Sequence, residues 1–323
     1  MSAGVPSSRL LGSSIVVTGT HYSMTTLAGR LLAAADEFHL LHEPTNPQPT
    51  LSYDSIQPQR WYEYYDAARY SELRRFLEQA LAAGDLTEQI ATRASGARSP
   101  RDAMRVLRYA QRRLPMRLAP RPAILKDPFM AFSARTLQAE DGLKVVLTVR
   151  HPCAFAESFV RAGRAFDFNN LMQPALLEAL PGEAGTISEL ANAPPPLTEQ
   201  AAHLWRIVYG FAAQFLLPDP RTFLLSQDRL VSQTRDTVDA LFAFAGARQS
   251  ASVKTFLAKN LQSAGTDFSG SASYIRRDSE AVLDKWRMRL SAADRDLVRE
   301  LTGGIAAQLG YREASWHIAG EPR

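Results

Sequence analysis

The chain carries a single cysteine, Cys153, among 323 residues. One thiol closes no internal disulfide and builds no cysteine-rich metal site, so the fold must rest on its apolar core. Histidine is also sparse, and the six present show neither H-x₃-H nor H-E-x-x-H spacing. Neither a structural nor a catalytic metal is expected. No apolar run reaches the length of a membrane span, and the opening MSAGVPSSRLLGSS has no apolar signal-type core. The expectation is a cytoplasmic chain with no membrane span. Internal repeats are absent too. The Walker pattern fails, because Met24 stands five residues after Gly19 and no lysine precedes Thr25. With no clear magnesium-binding aspartate after a strand, a P-loop-type small-molecule kinase becomes a weak alternative. Net charge is only +4, with a pI near 9.3. That suits anionic ligands without indicating a nucleic-acid binder.

Apolar residues are plentiful, at 46% of the chain, enough for a substantial core. Their order alternates strand-like and helix-like runs. Ile15, Val16 and Val17 read as a buried strand. Thr18 and Gly19 break it, and Thr25, Thr26, Leu27, Leu31 and Leu32 resume at helical spacing. A strand, a tight polar loop and a helix N-terminus with Ser23, Thr25 and Thr26 can cradle an anion, or can be an ordinary capped strand–loop–helix. Further strands are expected at 38–41, 123–126, 144–149 and 222–226. The run 144–149 is apolar on both faces, as a central parallel strand should be. The fold class expected is α/β: a three-layer, P-loop-like fold with a central parallel sheet flanked by helices.

Between these strands the pattern predicts a helix over 61–83, with Tyr62, Tyr65, Leu73, Phe76, Leu77 and Leu81 on its apolar side. Arg101, Arg105, Arg108 and Arg112 then recur at helical spacing. Aromatic residues are nearly absent among them, so a solvated outer face is favoured over a nucleic-acid surface. Residues 163–200 read as a long irregular, lid-like stretch. The domain expectation is a flexible tail over 1–13, one α/β domain over 14–312 with a helical insertion at 60–120, and a second tail over 313–323.

Arg150 and Ser158 stand eight apart, with Pro152 at the first turn of the helix between them. An arginine at the carboxyl end of a central strand sits where open α/β sheets bind ligands, and its planar fork matches a phosphate. Capping of a neighbouring helix is the alternative.

Several stretches, in order, resemble the sulfotransferases that use 3′-phosphoadenosine 5′-phosphosulfate (PAPS). His21-Tyr22-Ser23-Met24-Thr25-Thr26 resembles the 5′-phosphosulfate loop, which reads Pro-Lys-Ser-Gly-Thr-Thr, or His-Arg-Ser-Gly-Thr-Thr in bacterial members. Val149-Arg150-His151-Pro152 through Ser158 resembles the 3′-phosphate motif. His42-Glu43-Pro44, Lys126-Asp127-Pro128 and Arg276-Arg277-Asp278-Ser279 resemble bacterial members as well, the match running from about 14 to 311. The resemblance implies PAPS, and its product PAP, as cosubstrate with no metal, and a small-molecule or glycan acceptor. It implies that Arg150 and Ser158 hold the 3′-phosphate, and that His21, Tyr22, Ser23, Met24, Thr25 and Thr26 form the phosphosulfate loop. Arg276 and Arg277 would close over the adenosine end. Glu43 would be the base, its pKa raised by nearby anions, with His42 as rival. Lys126 would stabilise the sulfuryl oxygens, a salt bridge with Asp127 or Glu140 being the alternative. Oligomeric state is left open, a homodimer included.

The loop departs from that pattern at two points. Tyr22 replaces a basic residue and Met24 a glycine. A fixed cation there would stabilise charge developing on the leaving phosphate, and a glycine would admit close backbone approach. Either His21 or Lys126 supplies the charge, or the fold serves nucleotide binding or another transfer reaction.

Overall fold

The computed structural model describes residues 7–47, 58–82, 86–261 and 279–316. Its centre is a five-stranded parallel sheet: β1 (Ile15–Thr18), β2 (His39–His42), β3 (Ala123–Lys126), β4 (Lys144–Val149) and β5 (Thr222–Ser226), ordered β2-β3-β1-β4-β5. All the strands expected from apolar runs are present. β1 and β3 are buried along their whole length because helices cover both faces. Alternation divides the core into two layers. Val16, Leu125, Val145 and Leu147 face one side, with Phe132, Phe155, Trp205 and Phe211. Ile15, Val17, Ile124 and Val146 face the other, with Leu31, Leu32, Leu241 and Phe242.

Register gathers the carboxyl ends of the strands. Val17 lies beside both Lys126 and Val146, and His42 beside Lys126. Strand order reverses around β1, which opens a crevice at that end of the sheet. Gly19 makes the exit from β1 feasible. Its φ is +148°, and a Cβ there would lie 2.4 Å from the Thr148 carbonyl oxygen. Gly29, in helix Thr25–Ala33, has a comparable role, since a Cβ would sit 2.6 Å from Lys126 Cγ.

Two expectations change. The helix predicted over 61–83 begins only at Tyr70, after a 3₁₀ turn at Ala67–Arg69. Upstream, side chains from elsewhere capture the backbone groups a helix would need. Trp61 N–H donates to Asn170 Oδ1 (2.9 Å), Tyr64 N–H to Gln173 Oε1 (2.8 Å) and Tyr65 N–H to Ser133 Oγ (3.0 Å). Tyr62 adopts a left-handed φ of 59°. Local helical spacing loses to these tertiary hydrogen bonds. The second change concerns 163–200, which is not irregular. It holds a 3₁₀ turn (Phe168–Leu171) and two helices, Pro174–Ala179 and Ala184–Asn192, anchored by buried Leu171, Leu176 and Ile187. Elements of one or two turns show too few apolar repeats to register as periodic. The arginine stripe lies on helix Pro100–Leu118, where Arg101, Arg105 and Arg108 are exposed. Among the described residues no helix is long and apolar enough to cross a membrane.

Candidate active site

The loop leaving β1 keeps an unusual backbone. Tyr22 and Met24 both hold left-handed φ, at 64° and 56°. Non-glycine residues there cost on the order of 1–2 kcal/mol each, so the surrounding structure imposes the shape. Met24 is the N-cap of helix Thr25–Ala33, and no side chain caps the helix. Its first N–H groups therefore point, with the positive end of the helix dipole, into the crevice end of the sheet. Ser23 is fully buried and bonded to Thr20 Oγ1, so its hydroxyl braces the loop. Tyr209 braces it from beneath. Its hydroxyl donates to Thr148 O (2.7 Å) and accepts from Thr20 N–H (3.3 Å). Thr25 is buried and Thr26 half-buried at the helix start.

Arg150 stands at the end of β4 with its side chain almost wholly enclosed. Its Nη1 donates to Ser158 Oγ at 2.8 Å and reaches the Tyr22 carbonyl at 3.5 Å. The eight-residue spacing thus closes into a contact beside the loop. Ser158 is also approached by Arg161 (3.3 Å) and donates to Glu157 (3.1 Å). Glu157 in turn takes Arg161 at 3.1 Å and Arg289 at 2.6 Å. Burial raises its carboxyl pKa, but the bond from Arg289 and the charge of Arg161 outweigh that and leave it below the usual range. Arg161 and Arg289 carry no motif of their own, and helical spacing from Ser158 could have flagged only the first. The expected Arg276 and Arg277 lie outside the described residues.

On the other flank, β2 and β3 deliver Glu43 and Lys126. The Lys126 ammonium is bonded to Glu43 Oε1, not to Asp127 or Glu140. Asn46 Nδ2 donates to Glu43 Oε2 at 2.8 Å, and His42 Nδ1 lies 3.9 Å from Oε1. Burial pushes the Glu43 carboxyl up, yet the charges of Lys126 and His42, with hydrogen bonds from Lys126 and Asn46, hold it below its ordinary value. The expected upward shift is therefore reversed, because cations outnumber anions around it. Glu43 also adopts a left-handed φ of 52°, and its N–H donates to Lys126 O at 2.6 Å.

Asp127 was legible only as part of a motif, and its role is structural. Fully buried, it accepts Thr45 N–H (2.5 Å), Thr45 Oγ1–H (2.8 Å) and Phe129 N–H (2.9 Å). Burial, reinforced by the charge of Glu43, pushes its pKa up to about 7.

His21 is walled by aromatic rings. Tyr22 is centred 4.7 Å away, Phe155 5.7 Å, Phe159 5.8 Å and Tyr62 6.2 Å. Its pKa falls to about 4 through burial, against a smaller upward pull from Glu43. At neutral pH His21 is uncharged, so it is not the missing cation of the loop. Arg150 and Lys126 are the buried cations the structure brings to it. Among the described residues no cluster of ligating side chains could hold a metal ion.

No family model matches this chain, and no curated protein matches it. Solved structures do. The chain is similar to the "Sulfotransferase Domain from the Curacin Biosynthetic Pathway", at 17% identity over 93% of this chain and 98% of that one, with a TM-score of 0.52. A second match is the "Sulfotransferase Domain from the Synechococcus PCC 7002 Olefin Synthase", at 19% identity over 91% and 94%, with a TM-score of 0.45. This is a sulfotransferase fold. The first likeness spans nearly the whole of both chains.

Proposed function

We propose that the chain moves a sulfuryl group from PAPS to a hydroxyl or amine of a small-molecule or glycan acceptor. The observation that carries this reading is the Arg150–Ser158 contact of 2.8 Å, held against the loop after β1. A guanidinium and a hydroxyl fixed at the end of a central strand suit a 3′-phosphate, and the uncapped helix N-terminus suits the phosphosulfate. Glu43, kept as a carboxylate by Lys126, would take the acceptor proton as the new S–O bond to a hydroxyl, or S–N bond to an amine, forms. The S–O bond to the leaving phosphate breaks with its electron pair, and PAP departs. Lys126 would then face both Glu43 and the sulfuryl oxygens.

Nucleotide binding without transfer is a second reading, favoured by one specific observation: the loop position of the usual basic residue holds Tyr22, and neighbouring His21 is neutral. Calorimetry with PAP, ATP and inorganic phosphate, followed by transfer assays from ³⁵S-labelled PAPS over a broad acceptor panel, separates the two. Selective PAP binding with label transfer supports the enzyme. PAP binding without transfer leaves the second reading, and equal affinity for ATP removes the 3′-phosphate site and the PAPS-dependent enzyme with it.

A further inference from the structure

The Tyr62 hydroxyl sits beside two nitrogens of His21. It accepts the His21 backbone N–H at 3.1 Å and lies 2.9 Å from ring Nδ1. Tyr62 is fully buried, so no solvent can take its proton. A buried phenol must place its single hydrogen on an acceptor, and His21 Nδ1 is the acceptor within reach among the described residues. The oxygen's remaining capacity is occupied by the backbone N–H. Burial drives the phenol pKa well above its ordinary value, so the hydroxyl keeps its proton. A ring whose Nδ1 accepts carries its own proton on Nε2. Among the described residues that nitrogen has no hydrogen-bond partner, and His21 is only partly buried.

The placement of Tyr62 is enforced. Its φ of 59° is unfavourable for a side chain of this size. Gln173 holds it there, donating from Nε2 to Tyr62 O (3.0 Å) while its Oε1 accepts Tyr64 N–H (2.8 Å). The same Gln173 also donates to Asn170 O at 2.7 Å. Phe129 meets the Tyr62 ring edge-on at 5.3 Å. A left-handed tyrosine clamped through its carbonyl is a costly way to fill a core. It is a direct way to aim one hydroxyl at one imidazole.

We infer that Tyr62 is a positioning residue that fixes His21 as the Nε2–H tautomer, making this loop histidine a neutral hydrogen-bond donor to an anionic oxygen of the transferring sulfuryl group. The identity of that anion rests on the sulfuryl-transfer reading above; the tautomer does not. His21 neither gains nor loses a proton in this role. It takes part of the work a basic residue at position 22 would do, without introducing an unpaired charge among aromatic rings.

The test uses the full chain labelled with ¹⁵N-histidine, with His21→Asn assigning the signal by its loss. Two-bond proton–nitrogen spectra at pH 7 should give Nε2 protonated and Nδ1 accepting in the wild type. Tyr62→Phe, which keeps the ring and removes the hydroxyl, should shift the Nδ1 resonance and release the fixed tautomer. A protonated Nδ1 in the wild type, or an unchanged spectrum in Tyr62→Phe, overturns the assignment. The second arm follows breakdown of PAPS to PAP with water as acceptor. Glutamine can place an amide N–H where Nε2 stands, and asparagine cannot. His21→Gln should stay within a few-fold of wild type, while His21→Asn should fall by about 10²–10³-fold. Tyr62→Phe should fall by about 10–100-fold in kcat with PAP affinity kept. Equal losses in His21→Gln and His21→Asn overturn the donor role. A wild type that binds no PAP removes the sulfuryl reading and the donor role together, while the spectra still decide what Tyr62 does.

Discussion

The Lys126 ammonium is bonded to the Glu43 carboxylate across the ends of neighbouring parallel strands β3 and β2. Lys126 is 2% exposed and Glu43 15%, so the pair sits at the boundary of core and crevice. Neither charge could be left alone there without a large desolvation cost. The pairing keeps Glu43 ionised and holds it beside a cation, which suits the base role proposed for it.

If Glu43 is the base proposed above, replacing it by glutamine should abolish sulfate transfer while leaving PAP affinity within about threefold, since the carboxylate would act on the acceptor proton. Loss of activity in His42→Ala with Glu43→Gln still active would move the role to His42. Lys126→Met should destabilise the fold by about 3 kcal/mol, because it strands a buried carboxylate. The sign with pH follows from the lowered Glu43 pKa. Its contribution to stability is present above the unfolded value of 4.5 and is lost as pH falls through the folded value. Urea midpoints of wild type and Lys126→Met should therefore converge in acid.

Arg150→Ala should weaken PAP binding far more than ATP binding, because ATP carries no 3′-phosphate. Loss of a charged contact costs about 1.5–3 kcal/mol, roughly 10- to 150-fold in Kd. Calorimetry with both nucleotides reads it directly, and an equal loss for the two would remove Arg150 from a 3′-phosphate site.

Asp127 should give the opposite pH dependence from Glu43. Its folded pKa of about 7 exceeds the unfolded value of 3.8, so the native state binds the proton more tightly. That contribution is fully present below about 4 and declines as pH rises toward 7. The stability difference between wild type and Asp127→Asn, measured by urea unfolding, should shrink from pH 5 to pH 7. The asparagine amide would also face a backbone donor, costing about 1–3 kcal/mol at pH 5.

The altered loop offers a gain-of-function test. Met24→Gly should stabilise the chain by about 1 kcal/mol, because it relieves a left-handed residue. Combined with Tyr22→Arg, it places a cation and an unhindered backbone where a phosphosulfate would sit. Transfer of label from PAPS should then rise, by about 10²-fold where a missing charge limits the wild type. An active wild type with no gain in the double variant would assign the electrostatic work to Lys126, Arg150 and His21 already in place.

Sheet and crevice were legible in the sequence because their signals are local. The apolar run of β4, the β-branched triplet of β1 and the glycine after it announce a parallel strand and a turn without reference to distant residues. Arg150 and Ser158 could be paired on paper because one helix separates them by a fixed spacing. Tertiary contacts decided the rest. The helical pattern over 61–83 was overridden by Gln173 and Ser133, which lie far along the chain and take backbone groups at its start. Glu43 has a lowered pKa because register sets Lys126 opposite it, and no periodicity encodes which strands become neighbours. His21 could be counted in the sequence as a possible cation. Only its enclosure by Phe155, Phe159 and Tyr62 makes it neutral, since charge in a protein depends on what surrounds a side chain and not on its type alone.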